Sequence, residues 1–438
     1  MQSDRPLDQP EPVSYHVGVA GRAQHLFTIR ARFPLPESAT TVDVQLPVWT
    51  PGSYLVREYE RHVQDFACAD EANRALAWRK IDKARWRVET GGARALVVRY
   101  RVYAHEITVR TNHLDETHGF WNGASTFVYV DALRDRPIRI AVELPAGWRV
   151  ATAMRRDAEG ALLAADYDEV VDSPVEIGVH ERIEFQAAGR PCSIAVWGRA
   201  PFDRSRLAAD VTAIIEAQAA LFGDVPYEDY TFLLHLVPGG YGGLEHKSSS
   251  TLLAAPAAFL GDKRYGDFLE LVSHEFFHLW NGKRIRPAAL GPFDYAGENY
   301  TRSLWVVEGW TSYYDRLMLR RSKRISAARF REKLGEDLTK LGRIPGRFYQ
   351  SIEEASFDAW IKLYRPDENS VNTTVSYYLK GSVASLLLDL EVRRRTAGAR
   401  SLDDALRLMW DEFRRTGAGY ADEAVQEIVE RAAGVPLD

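Results

Sequence analysis

His274-Glu275-Phe276-Phe277-His278 reads H-E-x-x-H inside a run with helical periodicity. On an α-helix, positions i and i+4 lie one turn apart on the same face, so both imidazoles can grip one metal ion. Glu275, next to the first His, reaches a water activated by that ion. The three side chains together propose a zinc hydrolase. The plain alternative is a pair of buried, hydrogen-bonded histidines on a core helix. A catalytic zinc takes three protein ligands and leaves one position open, so a third ligand must come from a separate element. Glu308 is the candidate. It lies in Leu304-Trp305-Val306-Val307-Glu308-Gly309-Trp310, where a carboxylate among Trp and Val is costly to bury without a cation. Its plain alternative is a first-turn acid facing its helix dipole.

The elements that must position these residues follow from periodicity. Residues 14 to about 200 alternate with period two. Phe27, Ile29, Ala31 and Phe33 share one face, as do Val42, Val44, Leu46 and Val48, then Val98, Tyr100 and Val102, then Ile138, Ile140, Val142 and Leu144, then Val175, Ile177 and Val179. Short alternating strands between Pro/Gly turns predict an antiparallel β-sandwich. The period changes near Pro201. Ser205–Phe222 reads as an amphipathic helix, Asp229–Val237 as a strand, and Gly239–Gly243 as a glycine-rich turn into Leu244-Glu245-His246. Asp267–Asn281 carries the motif, with Leu269, Val272, Phe276 and Trp280 on its apolar face. Ser303–Arg321 reads as a second helix. A polar loop at Asp367–Thr374 precedes helices at Tyr377–Arg395, Leu402–Arg415 and Asp422–Ala433, with Ser401 and Asp404 resembling a cap. The basic run Arg316, Arg320, Arg321, Lys323 and Arg324 reads as a solvated helix end complementing the macrodipole. The expected organisation is α+β with an N-terminal β-rich domain at 12–200, a catalytic domain at 201–345, and a helical domain at 346–438 that completes the site.

Composition bounds the function. A length of 438 residues allows two or three domains, and 46% hydrophobic with 27% charged residues is ordinary for a folded chain. A net charge of −5 argues against a nucleic-acid partner, which would call for a basic footprint. No run of 18 apolar residues predicts a membrane span. Met1–Pro6 is polar and lacks the apolar core of a signal peptide, so a cytoplasmic location is expected. Cys68 and Cys192 sit in strand-like apolar settings, which suits buried free thiols better than a disulfide. The sequence leaves oligomeric state open.

The chain resembles the gluzincin metallopeptidases, which pair H-E-x-x-H with a Glu on the following helix. Within them it is most similar to the glycyl aminopeptidase family, through Trp49-Thr50-Pro51-Gly52-Ser53-Tyr54, the segment His274 to Ile285, and Glu298-Asn299-Tyr300-Thr301. The resemblance covers most of the chain and implies a thermolysin-like catalytic domain with one zinc. Family members commonly carry a C-terminal PDZ-like domain, which this sequence is expected to lack. In related enzymes a G-x-M-E-N loop supplies a Glu that reads the substrate ammonium. Gly242-Gly243-Leu244-Glu245-His246 occupies the comparable place, which makes Glu245 the candidate, with His246 in place of the usual Asn. The glycines at 242 and 243 would let a peptide lie against the backbone like an added strand. Tyr378-Leu379-Lys380-Gly381 resembles the Y-x-K-G segment whose Tyr binds the developing oxyanion, with Tyr377 as understudy.

The expected function is therefore removal of N-terminal residues, small ones such as Gly or Ala, from peptides with a free N-terminus. Glu275 would be the base, Tyr378 the oxyanion donor, Glu245 the amine anchor, and His274, His278 and Glu308 the zinc ligands. The alternatives are a zinc endopeptidase on the same scaffold and a metal-free peptide-binding protein.

Overall fold

The alternating segments form strands because period two puts one face of each against a core. In the computed structural model, which describes residues 11–36 and 38–437, two units separate by their internal packing. The reading of Met1–Pro6 lies outside the described residues. One unit comprises Met1–Pro51, Val56–Glu181 and Tyr295–Gly297; the other comprises Gly52–Leu55, Arg182–Asp294 and Glu298–Asp438.

The first unit is β-rich. Its seven-stranded sheet has Leu26–Pro34 paired antiparallel to both Val13–Gly21 and Ala95–Tyr103. Phe27, Ile29, Ala31 and Phe33 are buried, while Thr28 and Arg30 face outward. One pair departs from the antiparallel expectation: Val13–Gly21 runs parallel to Ile138–Val142. The long connection between them removes the hairpin constraint that would force antiparallel pairing. A four-stranded sheet orders Arg149–Ala151, Val175–Gly178, His118–Trp121 and His113–Leu114, and a three-stranded sheet orders Thr41–Gln45, Arg85–Glu89 and Trp78–Asp82. Leu144 and Val179 lie just past their strands and are exposed, so the alternation stops where the pairing does.

The second unit carries a five-stranded sheet ordered Glu181–Ala187, Arg190–Gly198, Tyr230–Leu236, Ser249–Ala254 and Tyr241–Glu245. The three central strands are parallel and the last is an antiparallel edge. Gly242 and Gly243 belong to this edge strand and not to the turn expected there, which is confined to the residues just before Tyr241. Helix Arg204–Phe222 starts at Asp203, whose side chain accepts from the Arg206 amide, and stops at Gly223 in the left-handed conformation. The motif helix is Asp262–Phe277, and Leu269, Val272, Phe276 and Trp280 pack in the main core as the pattern predicts. It ends earlier than the expected Asn281, and the chain then turns through Gly282, at φ 127°, where the Gly282 amide donates to the Ile285 carbonyl.

The second expected helix opens with a π turn at Trp305–Trp310 and continues as an α-helix over Thr311–Arg321. A π turn draws carbonyls out of the ordinary ladder. Asn281 answers two of them: its Nδ2 donates to the carbonyls of Val306 (2.9 Å) and Val307 (3.1 Å). Helices Ala327–Gly342 and Ile352–Phe357 occur where the pattern predicts none. Tyr377–Arg395 matches its expected span, and Ser401 with Asp404 forms a full capping box on Leu402–Thr416. Cys68 and Cys192 are free and buried. Among the described residues, no helix is long and apolar enough to cross a membrane.

Helix Tyr377–Arg395 approaches the π turn through a glycine pair. A Cβ on Gly309 would stand 2.6 Å from the Gly381 Cα. Gly309→Ala must push these two segments apart. It is expected to destabilise the protein by about 1–3 kcal/mol, as overpacking does. Thermal unfolding checks this; unchanged stability would show that the pair is not a constraint.

Candidate active site

The motif helix, its following turn and the π turn bring three donor atoms together. His274 Nδ1 donates to Asp315 Oδ2 at 3.0 Å, and His278 Nδ1 donates to the Asn281 carbonyl at 2.7 Å. A carbonyl only accepts, so Nδ1 of His278 carries its hydrogen and Nε2 presents a lone pair; the carboxylate sets His274 the same way. The two Nε2 atoms lie 3.1 Å apart. Glu308 Oε2 is 3.3 Å from that of His274 and 3.0 Å from that of His278. Three electron-rich atoms thus converge, which is repulsive unless a cation stands among them. Ligands held about 2.0–2.1 Å from a tetrahedral zinc are roughly 3.4 Å from one another. The observed separations are close to that, so the donor set fits the ion.

The electrostatics agree. Burial works against charge on both imidazoles, but Asp315 and Glu308 outweigh it at His274, and Glu308 and Glu245 outweigh it at His278, so both rings are held above the usual imidazole range. Burial works against charge on Glu308 too, yet the two imidazoles hold its carboxyl below the usual range. The pocket favours positive charge at one point.

The other expected residues lie around this point. Glu275 is buried, and burial with the nearby Glu245 and Glu308 carboxylates pushes it up to about 7 despite the two imidazoles. Its carboxylate, that of Glu245 and a ring nitrogen of His278 all lie within 4.8 Å of one another. Gly243 makes this possible: a Cβ there would stand 2.1 Å from Glu275 Oε1. Gly242 sits beside it at φ 150°, a conformation that favours glycine. Tyr378 stacks 6.3 Å from the His274 ring. Burial, then Glu308, raises its hydroxyl well above the usual tyrosine range, so it stays protonated. Tyr377 is fully buried and shares a neighbour with Tyr378: the Tyr364 hydroxyl is 3.2 Å from both of theirs. His246 is buried beside the edge strand.

Five residues in this centre escape the sequence reading. Asp315 lies seven residues beyond Glu308, about two turns along one helix, which is a usable signal. Asn281 joins both ligand segments, its carbonyl orienting His278 and its amide clamping the π turn. Gly52 presses on Glu245, with a Cβ there only 2.6 Å from Oε1. Tyr54 is buried with its ring 5.7 Å from Trp360, and Tyr364 joins the tyrosine cluster. Nothing in local spacing points to the last four, although Asn281, Gly52 and Tyr54 lie inside segments that carry the family resemblance. The basic run needs correction. Arg316 is not solvated: its side chain is only 16% exposed and pairs with Glu270 at 2.8 Å and with Asp337. It ties Thr311–Arg321 to the motif helix and to Ala327–Gly342. Arg321 pairs with Asp403 at 2.9 Å.

A β-rich unit followed by a thermolysin-like unit with this H-E-x-x-H plus Glu set defines the gluzincin class of peptidases. Comparison with known proteins agrees. Residues 14–179 match the family description "Peptidase M61 N-terminal domain", and residues 267–384 match "M61 glycyl aminopeptidase". The structure of an aminopeptidase N family protein from Idiomarina loihiensis is 34% identical with a TM-score of 0.91, over 95% of this chain and 72% of that one. The chain belongs to the M61 glycyl aminopeptidase family and is a peptide hydrolase. More distant structures share the fold. An M1 zinc metallopeptidase from Deinococcus radiodurans, bound to a Tyr-Ser-Ala substrate, is 15% identical with a TM-score of 0.57, over 97% of this chain and 90% of that one. Native yeast LTA4 hydrolase is 12% identical with a TM-score of 0.57, over 96% of this chain and 64% of that one. No curated protein sequence matches the chain.

The Asp315–His274 bond fixes which nitrogen faces Glu308. Asp315→Ala is expected to weaken zinc binding by about 10–100-fold, the usual cost of losing such a partner. Competition with a chromophoric chelator measures it, with thermal unfolding as the control for folding. Undiminished affinity would remove Asp315 from the centre.

Proposed function

We propose that the protein is a zinc-dependent aminopeptidase that removes small N-terminal residues, Gly or Ala, from peptides. The observation that carries this reading is the convergence of three lone pairs from His274, His278 and Glu308 at tetrahedral spacing, with two further carboxylates beside them. Zinc bound there would supply Lewis acidity, lowering the pKa of water towards ~7 and polarising the scissile carbonyl. Glu275 takes the proton of the attacking water and passes it to the leaving amine; its raised pKa suits both directions of transfer. Tyr378, protonated and stacked near His274, donates to the oxygen that becomes negative. Glu245 pairs with the substrate ammonium, and its closeness to Glu275 and His278 sets the cut one residue in.

The edge strand Tyr241–Glu245 offers its outer backbone groups to the substrate. Gly52 lies directly against both Glu245 oxygens, so backbone walls the amine pocket closely, which supports a preference for a small first residue. In this reading 201–345 supplies the ligands and base, and the helical part, 346–438, completes the site through Tyr378.

Two measurements test the mechanism. Glu275→Gln should keep zinc yet lose at least about 10²-fold in kcat, and Tyr378→Phe should lose on the order of 10²-fold in kcat. Full activity of the first variant overturns the base assignment, and an effect of the second confined to KM makes Tyr378 a binding residue. Acetylating the N-terminus of a Gly or Ala peptide should abolish cleavage, and Glu245→Gln should raise KM for the unblocked peptide. Cleavage of the blocked peptide would make the protein an endopeptidase. Faster hydrolysis of Leu or Arg anilides than of Gly or Ala ones would discard the small-residue preference alone.

A further inference from the structure

A second cluster of metal-type donors lies in the β-rich unit. His113, Asp115 and His118 occupy the hairpin that joins strands His113–Leu114 and His118–Trp121. Each offers a donor atom, and the three donors lie within 4.8 Å of one another. The spacing H-x-D-x-x-H places two imidazoles on paired strands and the carboxylate in the turn between them.

The cluster is built in the same way as the catalytic one. His118 Nδ1 bonds Glu176 Oε1 at 3.0 Å, with both side chains essentially inaccessible to solvent. His274 bonds Asp315 at the same distance. In both cases a buried carboxylate accepts the Nδ1 hydrogen, which is the usual support of a metal-bound histidine. Asp115 is equally fixed: its Oδ1 accepts from the Thr117 amide (2.7 Å), the Thr117 hydroxyl (2.7 Å) and the His118 amide (3.0 Å). One carboxylate oxygen, Oδ1, holds the turn. A fourth imidazole is near. His105 is the cross-strand partner of His113, its ring centroid is 5.4 Å from that of His113, and it is exposed, with the His25 ring stacked on it at 3.7 Å. The turn residues Glu116 and Thr117 are exposed, so an ion can arrive from solvent.

We propose that His113, Asp115 and His118, joined by His105, form a second binding site for a divalent ion of the zinc type. Two or three imidazoles with one carboxylate select zinc, cobalt or nickel over calcium or magnesium, which prefer oxygen. The site is looser than the catalytic one. Its donors must close from as much as 4.8 Å to about 3.4 Å, whereas those of the catalytic set already stand 3.0–3.3 Å apart. It therefore binds more weakly. Its occupant clips the edge hairpin of the four-stranded sheet instead of taking part in hydrolysis.

The test uses the full chain. Zinc is titrated in excess and bound metal is measured after rapid gel filtration. The wild-type protein should hold two equivalents, and one after exposure to a mild chelator. His113→Gln and Asp115→Asn should each hold one equivalent and keep full peptidase activity. The Asn variant can still accept the hydrogen bonds of its turn, so it tests the site without unfolding the hairpin. Cobalt titration gives an independent readout: the visible absorption of the weaker site should vanish in both variants and persist in the Asp315→Ala variant. A single equivalent in the wild type at saturating zinc, or two equivalents retained by both variants, overturns the proposal.

Discussion

The centre of this molecule rests on three lone pairs held too close for comfort. Nε2 of His274, Nε2 of His278 and Oε2 of Glu308 face one another at hydrogen-bond distance while hydrogen bonds on the far side fix both rings. Such an arrangement favours positive charge among the three atoms. Much of the second unit is organised to keep it in place. Asp315 and Asn281 orient the rings, Asn281 clamps the π turn that carries Glu308, and Arg316 binds the ligand helix to the motif helix.

Close backbone approach is the second constraint. Gly243 lets the edge strand pass against Glu275, Gly52 does the same for Glu245, and Gly309 with Gly381 brings the Tyr378 helix onto the π turn. Each glycine stands where any side chain would displace a group of the centre. The Glu245 and Glu275 carboxylates and the Tyr378 helix are in this way brought close to one point by backbone.

The parts that were legible before the structure share a property: their signal is local. The two histidines and Glu275 are readable because helical period alone places i and i+4 on one face. The strand faces around Phe27–Phe33 and the helix Tyr377–Arg395 are readable because burial imposes period two or 3.6. The helices Ala327–Gly342 and Ile352–Phe357 were not legible. Ala327–Gly342 carries a thin stripe of Phe330, Leu334, Leu338 and Leu341 that is at most half-buried, and its one fully buried residue is Lys333, whose amine pairs with Asp267 and Glu270. Arg316 misled for the same reason: a charge read as solvated finds its partners on elements distant in sequence. Gly242 and Gly243 suggested a turn because glycine is a turn residue by frequency, yet here they serve an edge strand that must lie close to a carboxylate.

The sequence by itself determined the chemistry on offer: two imidazoles and a carboxylate at fixed helical spacing, an acid in apolar surroundings, and a chain patterned as strands first and helices after. Only the tertiary structure decided the geometry of that chemistry. Asp315, Asn281, Tyr54 and Tyr364 reach the centre across contacts no local pattern encodes, and the widened turn under Glu308 exists because Asn281 satisfies the carbonyls it exposes. The physical reason is that periodicity reports which face of an element is buried, whereas the identity of what lies opposite is set by packing between elements far apart in the chain.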